Sequence, residues 1–367
     1  MRNICIVLNN RLRAFSQREV SSIIEEFRSK GYLFDEVRFL FQEDETILRS
    51  YLTECKKTHD NILLLARKTQ CMLCQNAISQ DFVRESVQEN SALNVYKKEN
   101  GALFLLAIDE KNSALACVRE ICIPYLNRVY NIRRAQLVVR AVGANSLRVE
   151  QLISRAEALS AGKLSILHAR EYDEDVVRVF YGEDVSKMLL DDVLRLLAEG
   201  LGDTVYALED VTLEEQLVRL LQVRGKKISV AESFTGGGIA RAITSVSGAS
   251  AVYFEGLNTY HENSKIKRLG VLEYTLKTAG AVSDQTAYEM AAGLIASGDC
   301  DISIATTGLA GPNTDRSGLP VGLSYIAIGS KESVYVYRYK FEGNREEITA
   351  RAVQYALFLA YKQLKNM

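Results

Sequence analysis

Three consecutive glycines, Gly236-Gly237-Gly238, stand between a strand and a helix, and no other stretch of the chain constrains its fold as tightly. Lys226-Lys227-Ile228-Ser229-Val230-Ala231 reads as a short strand, and Gly237 to Thr244 as the start of a helix. Between them come Glu232, Ser233, Phe234 and Thr235, a carboxylate and two hydroxyls around one ring. Such a strand-to-helix turn aims backbone N–H groups and the positive end of a helix dipole at whatever lies above it. Glycine adopts positive φ without strain and lets a ligand approach the backbone. Ser233 falls at the C-terminal edge of the strand, where open α/β sheets bind ligands. Placed before Thr-Gly-Gly, it also fits a plain helix N-cap.

Glycine is distributed unevenly. Gly31 is the only glycine in the first hundred residues, which hold no proline, whereas sixteen glycines lie between Gly225 and Gly343 together with Pro312 and Pro320. Close backbone approaches and special turns therefore concentrate in the C-terminal third. A formal net charge of -1 gives no electrostatic reason to expect nucleic acid or an anionic membrane as partner. No apolar run approaches the roughly 20 residues that span a bilayer. Met1 to Leu8 reads as a first strand rather than a signal peptide, so the expectation is a cytoplasmic protein. Seven cysteines are scattered along the chain; Cys71-Met72-Leu73-Cys74 has no second pair or nearby histidine to complete a zinc site, and the seven read as small buried hydrophobes.

The expected fold class is α/β in three units. Residues 1–115 alternate strands (Ile4–Leu8, Asp35–Leu40, Asn61–Leu65, Ala102–Ile108) with helices (Gln17–Lys30, Glu45–Lys57), the pattern of a doubly wound, mostly parallel sheet. Residues 116–208 read as a small α+β module, from a helix over Leu115–Tyr130 to a last strand at Val205–Leu208. Thr212 with Glu215 forms a capping-box signature that opens the third unit, 211–367. Its candidate chemistry falls at the ends of separate elements. Ser233 follows one strand, Tyr260 and Lys265 follow a second, Thr307-Gly308 a third, and Arg345 starts the last helix. Active sites on α/β folds are assembled in this way from loops at one sheet edge.

Ala231-Glu232-Ser233 through Gly237, Tyr260 with Lys265, Leu269-Gly270-Val271, Gly280-Ala281-Val282-Ser283, Thr307-Gly308-Leu309-Ala310-Gly311-Pro312, Pro320-Val321-Gly322 and Gly343-Asn344-Arg345-Glu346 follow one another as in the CinA C-terminal domain, which residues 211–366 resemble. The resemblance implies a nicotinamide mononucleotide deamidase, which hydrolyses the carboxamide to the acid and ammonia. It implies Ser233 as nucleophile, Lys265 as its base and Tyr260 assisting. Glu232, Thr235, Gly236, Gly237, Thr307, Gly308 and Arg345 are the substrate-binding candidates. Amide hydrolysis requires an activated hydroxyl, a neighbouring base and donors for the oxyanion, and a lysine base must have a depressed pKa. Thr307 and the Gly236 and Gly237 amides suit the leaving amide or a phosphate, and the planar fork of Arg345 suits a phosphate. The reaction needs no metal or other cofactor. The expected partner is a small nucleotide, with no nucleic acid or membrane, and the resemblance implies a homodimer. His261 reads as incidental.

Two departures from the family pattern concern the substrate. Glu262 stands where the family has Asn, and Asn313-Thr314-Asp315-Arg316-Ser317-Gly318 replaces a loop with paired glycines. They leave open a different small amide, and decay of the N-terminal loops leaves open nucleotide binding without turnover. In front, residues 1–115 and 116–208 resemble the family's molybdopterin-binding-like domain and its α+β linker domain. The Gly-rich loops of the former's metal-dependent pyrophosphatase site are replaced by Leu8-Asn9-Asn10-Arg11-Leu12, Ala66-Arg67-Lys68-Thr69-Gln70 and Leu106-Ala107-Ile108-Asp109-Glu110. Without glycine, side chains block a pyrophosphate from the backbone amides. The expectation is a retained fold with that site lost.

Overall fold

A computed structural model describes residues 1–9, 15–90, 92–109, 111–131, 135–314 and 318–367. The chain divides into two compact units: Met1–Ala135 with Phe180–Asp184, and Gln136–Val179 with Val185–Met367. Its described residues form three sheets with helices between the strands, a mixed α/β architecture.

The first unit is built on apolar runs. β1 (Asn3–Leu8), α1 (Gln17–Arg28), β2 (Glu36–Leu40), α2 (Glu45–Thr58), β3 (Asn61–Ala66), α3 (Cys71–Ser79), β4 (Val83–Asn90), β5 (Leu93–Lys98) and β6 (Gly101–Ala107) follow in order. Strands buried on both faces, as β1 and β3 are, belong inside a parallel sheet covered by helices. Ile4, Ile6 and Leu8 enter one core, and Cys5 and Val7 the other. The sheet order is β2-β1-β3-β6-β5-β4, and only its first four strands are parallel. β5 runs antiparallel to β6, and β4 antiparallel to β5, an edge hairpin that periodicity alone does not reveal. The helix expected over Leu115–Tyr130 is interrupted. α4 (Lys111–Cys117) passes through a π-helical turn at Val118–Cys122 into α5 (Ile123–Val129). Pro124 lies in the first turn of α5; it has no N–H for an i−4 carbonyl and its ring clashes there, so the backbone widens. Six of the seven cysteines are buried and Cys71 is half-buried.

In the second unit, β7 (Ala135–Val142), α6 (Ser146–Ser160), β8 (Leu164–Glu171), β9 (Glu174–Tyr181), α7 (Lys187–Leu201) and β10 (Val205–Ala207) form a sheet of order β10-β7-β9-β8. α6 and α7 bury Val149, Leu152, Val193 and Leu197 with Val139, Val177 and Val179 of its strands. α8 (Leu213–Arg224) starts at Thr212, whose hydroxyl accepts the Glu215 N–H while Glu215 returns to the Thr212 N–H, completing the capping box. β11 (Ile228–Glu232), α9 (Gly238–Thr244), β12 (Tyr253–Asn258), α10 (Glu262–Leu269), α11 (Glu273–Thr278), α12 (Asp284–Ala296), β13 (Ile302–Gly308), β14 (Leu323–Ser330), β15 (Val334–Lys340) and α13 (Arg345–Asn366) follow.

Their sheet has the order β12-β11-β13-β14-β15. β11 lies between parallel neighbours, and β14 and β15 continue antiparallel. Ile228, Val230, Ile302 and Ile304 face a core with α8 and α13, whereas Ala231 and Ala305 face α12. The C-terminal ends of β11, β12 and β13 thus share one sheet edge, which brings Glu232, Asn258 and Thr306 into register.

Candidate active site

The buried strand β11 delivers Glu232 and Ser233 to this edge. Glu232, 1% exposed, turns its carboxylate under the turn, where it accepts the N–H groups of Gly237 (3.1 Å), Ile239 (3.1 Å) and Ala240 (2.8 Å). A carboxylate there pairs with the positive end of the helix dipole and satisfies otherwise orphaned donors. The chain can fold so tightly because Gly236 and Gly237 take φ of 62° and 95°.

Ser233 is held by its own N–H, which donates to the Thr306 carbonyl at 3.1 Å. Its hydroxyl lies 2.9 Å from the Lys265 Nζ, which also donates to the Thr259 carbonyl at 2.6 Å. Lys265 reaches this position from the first turn of α10. His261 is the N-cap of that helix, its Nδ1 accepting the Asn263 N–H at 3.1 Å, so it is a structural residue rather than an incidental one. Lys265 is 1% exposed. Burial lowers its pKa from the usual 10.5 to about 8, and the Glu262 carboxylate pulls it back upward. Desolvation disfavours the ammonium, which is the direction a lysine base requires.

The remaining candidates divide into two sets. Thr235, Gly236, Gly237, Tyr260 and Arg345 line a cleft of about 1000 Å³. Arg345 donates to the Gly311 carbonyl at 2.7 Å and to the Tyr260 hydroxyl at 2.9 Å, so Tyr260 is tied to Arg345 rather than to the Ser233–Lys265 pair. The guanidinium has five N–H donors, more than these two acceptors use. Glu232, Thr307 and Gly308 are turned to other partners. Glu232 caps α9, so it is not a substrate ligand, and the Gly237 amide it holds is not a free donor. The Gly236 N–H is likewise committed, to the Ser233 carbonyl at 3.1 Å. Thr307 donates its hydroxyl to the Ala281 carbonyl at 2.5 Å. A Cβ on Gly308 would stand 2.7 Å from the Leu323 carbonyl oxygen and 2.9 Å from the Phe234 ring, so this glycine serves close packing. The Thr235 hydroxyl lies 2.7 Å from that of Thr306.

Among the described residues, the N–H groups of Phe234 and Thr235, immediately after Ser233, donate to no acceptor. Thr235 was a sequence candidate but Phe234 was not, and the amides expected to be free were those of Gly236 and Gly237, since only the folded turn shows which amides stay free. Arg241 and Tyr172, which also line the cleft, carry no local motif that would have singled them out. Among the described residues no group of three or more His, Cys, Asp or Glu is placed to hold a metal ion.

Residues 210–364 match the family model of the CinA C-terminal domain. They lie within a chain that covers 95% of a competence damage-inducible protein A of Klebsiella pneumoniae at 34% identity, over 42% of this chain and with a TM-score of 0.41. The chain belongs to the CinA family. It is similar to a competence-damage inducible protein of Caldicellulosiruptor saccharolyticus, 35% identical over 249 residues, which are 67% of this chain and 61% of that protein. It is also similar to a CinA-like protein of Kosmotoga olearia, 34% identical over 237 residues, 64% of this chain and 57% of that one. This CinA-family chain therefore spans about three-fifths of the length of such curated relatives. Among its described residues no helix is long and apolar enough to cross a membrane.

Proposed function

We propose that the C-terminal domain is an amidohydrolase whose substrate is nicotinamide mononucleotide. The observation that carries this reading is the buried Lys265 Nζ, with a pKa of about 8, 2.9 Å from the Ser233 hydroxyl. Once neutral, Nζ takes the Ser233 proton as Oγ attacks the carboxamide carbon. The Phe234 and Thr235 N–H groups receive the oxyanion. Collapse breaks the C–N bond, and the proton on Nζ passes to the departing nitrogen, which leaves as ammonia. Water then attacks the acyl-serine ester with Nζ again as base, releasing the acid and restoring Ser233. A neutral carboxamide on a charged nucleotide suits a cleft whose wall includes Arg241 and Arg345.

Ammonia release from nicotinamide mononucleotide, with Ser233→Ala as control, tests the proposal. Release by the parent and none by the variant is the expected result. Release from other small amides but not from the nucleotide would move the substrate elsewhere, a reading motivated by Glu262, which stands where the family has Asn and acts electrostatically on Lys265. Of the altered 313–318 loop, residues 315–317 lie outside the described residues.

In the first unit we propose that the pyrophosphatase site is lost. At the end of β3 the Arg67 N–H donates to the Gln70 side chain at 2.7 Å, and the Lys68 N–H to the Asp109 carboxylate at 2.6 Å. The chain's own side chains thus fill amides that a pyrophosphate would use. Residues 10–12 and 110 of the other two loops lie outside the described residues. No metal-dependent hydrolysis of ADP-ribose by the full chain is expected, and its detection would overturn the proposal.

A further inference from the structure

The β8–β9 hairpin of the second sheet ends in a two-residue turn, Tyr172-Asp173, and both residues are left-handed, with φ of 47° and 65°. Hairpins of this length favour Asn-Gly or Asp-Gly, because positive φ crowds a Cβ. Tyrosine is poorly suited to such a position, and strain of this kind persists where surrounding structure holds it, often at ligand sites. Here the surroundings are explicit. The Asp173 carbonyl accepts the Gly143 N–H at 2.9 Å, and its carboxylate lies 3.5 Å from the Arg351 Nε on α13 and 3.6 Å from Arg170. Arg351 is itself held by the Glu342 carbonyl at 2.8 Å. Gly143, at φ 75°, packs so closely on α13 that a Cβ would stand 2.8 Å from the Tyr355 hydroxyl.

The same helix α13 lines the cleft beside the catalytic turn, from Arg345 at its start to Val353 and Gln354, and Tyr172 lines that cleft as well. The helix that fixes the hairpin tip therefore also lines the cleft that the tip borders. At about 1000 Å³ the cleft suits a ligand of nucleotide size better than a lone carboxamide ring.

We propose that Tyr172 is a specificity-determining residue, contacting the ribose-phosphate part of a nucleotide amide whose carboxamide is held at Ser233. The inference rests on the amidohydrolase reading. The second sheet, through one strained residue, then selects a nucleotide over a smaller amide.

Three chains decide it: the parent, Tyr172→Asn, which suits the left-handed backbone while removing the ring, and Tyr172→Phe, which keeps the ring. Ammonia release is measured with nicotinamide mononucleotide and with free nicotinamide, and nucleotide binding by calorimetry. Tyr172→Asn is expected to raise KM and Kd for the nucleotide about tenfold, with kcat within about twofold, the pattern of lost uniform binding. Its thermal midpoint does not fall, its nicotinamide kinetics match the parent's, and Tyr172→Phe recovers most of the affinity. Unchanged nucleotide affinity in Tyr172→Asn, or an equal loss with nicotinamide, overturns the proposal. If the parent binds the nucleotide without turnover, the activity reading fails and the Kd comparison alone decides Tyr172. If the parent neither binds nor hydrolyses it, both fall.

Discussion

The Lys265 Nζ and the Ser233 hydroxyl meet at 2.9 Å across 32 residues of chain, one at the first turn of α10 and the other at the end of β11. Parallel pairing of β11 with β12 brings the two strand ends together, and burial at that edge depresses the lysine's pKa to about 8. Position and acidity thus have a common origin in the sheet.

Glu262→Gln should shift the acidic limb of the pH–rate profile downward. The Glu262 carboxylate raises the Lys265 pKa against the larger effect of burial, so removing its charge leaves the base neutral at lower pH. The expected outcome is higher kcat/KM below about pH 8 and little change above. An unmoved or upward-shifted limb would contradict Lys265 as the base.

Lys265→Met should alter the pH dependence of stability. The folded pKa lies below the unfolded one, so between about pH 8 and pH 10 the unfolded state binds more protons and the parent gains stability as pH rises. The penalty is fully present below pH 8. Relative to Lys265→Met, the parent should gain about 3 kcal/mol across that window, as two to three pKa units imply. Urea unfolding of both chains at pH 7 and pH 10 measures this, and a constant difference would count against the shift.

Glu232→Gln should lose both stability and turnover. The carboxylate accepts three backbone N–H groups inside the protein, and a neutral amide replaces charge-assisted bonds with weaker ones. A loss of about 2 kcal/mol is expected for bonds of this type. Denaturant titration checks the magnitude; a variant as stable as the parent would mean that the turn does not depend on this cap.

Gly308→Ala should destabilise the domain by about 1–3 kcal/mol through overpacking. The new methyl would meet the Leu323 carbonyl and the Phe234 ring, and pressing on Phe234 displaces the amide next to Ser233. Calorimetric unfolding and ammonia release should both register the change, and an unaffected thermal midpoint would refute the packing role.

Features that depend on local chemistry were legible before folding. The Thr212 and Glu215 capping box needs only a few neighbouring residues, and it forms as read. The apolar runs behind β1, β3 and β13 likewise admit one environment, the covered centre of a sheet. The edge hairpin β4–β5 escaped because Arg84 and Glu85 break any apolar alternation, and Pro124 gave no warning that the helix before it would widen. In the site, residue types pointed to Ser233, Lys265 and Arg345, yet hydrogen-bond direction was invisible. That Glu232 faces its own helix, Thr307 a backbone carbonyl and Tyr260 an arginine 85 residues away follows only from three-dimensional neighbours. Tyr172 was out of reach altogether, because its relevance depends on α13 holding a hairpin from another sheet.

The carboxylate of Glu232 beneath α9 means that the glycine turn already contains its own anion. A helix start left empty attracts negative charge indiscriminately, and an amide hydrolase converts a neutral group into a negative one at that very place. With that seat taken internally, the acid product of the proposed hydrolysis would gain nothing from the α9 dipole and would meet only the Phe234 and Thr235 amides. If the proposed hydrolysis holds, its turnover would be eased by a residue that never touches the product.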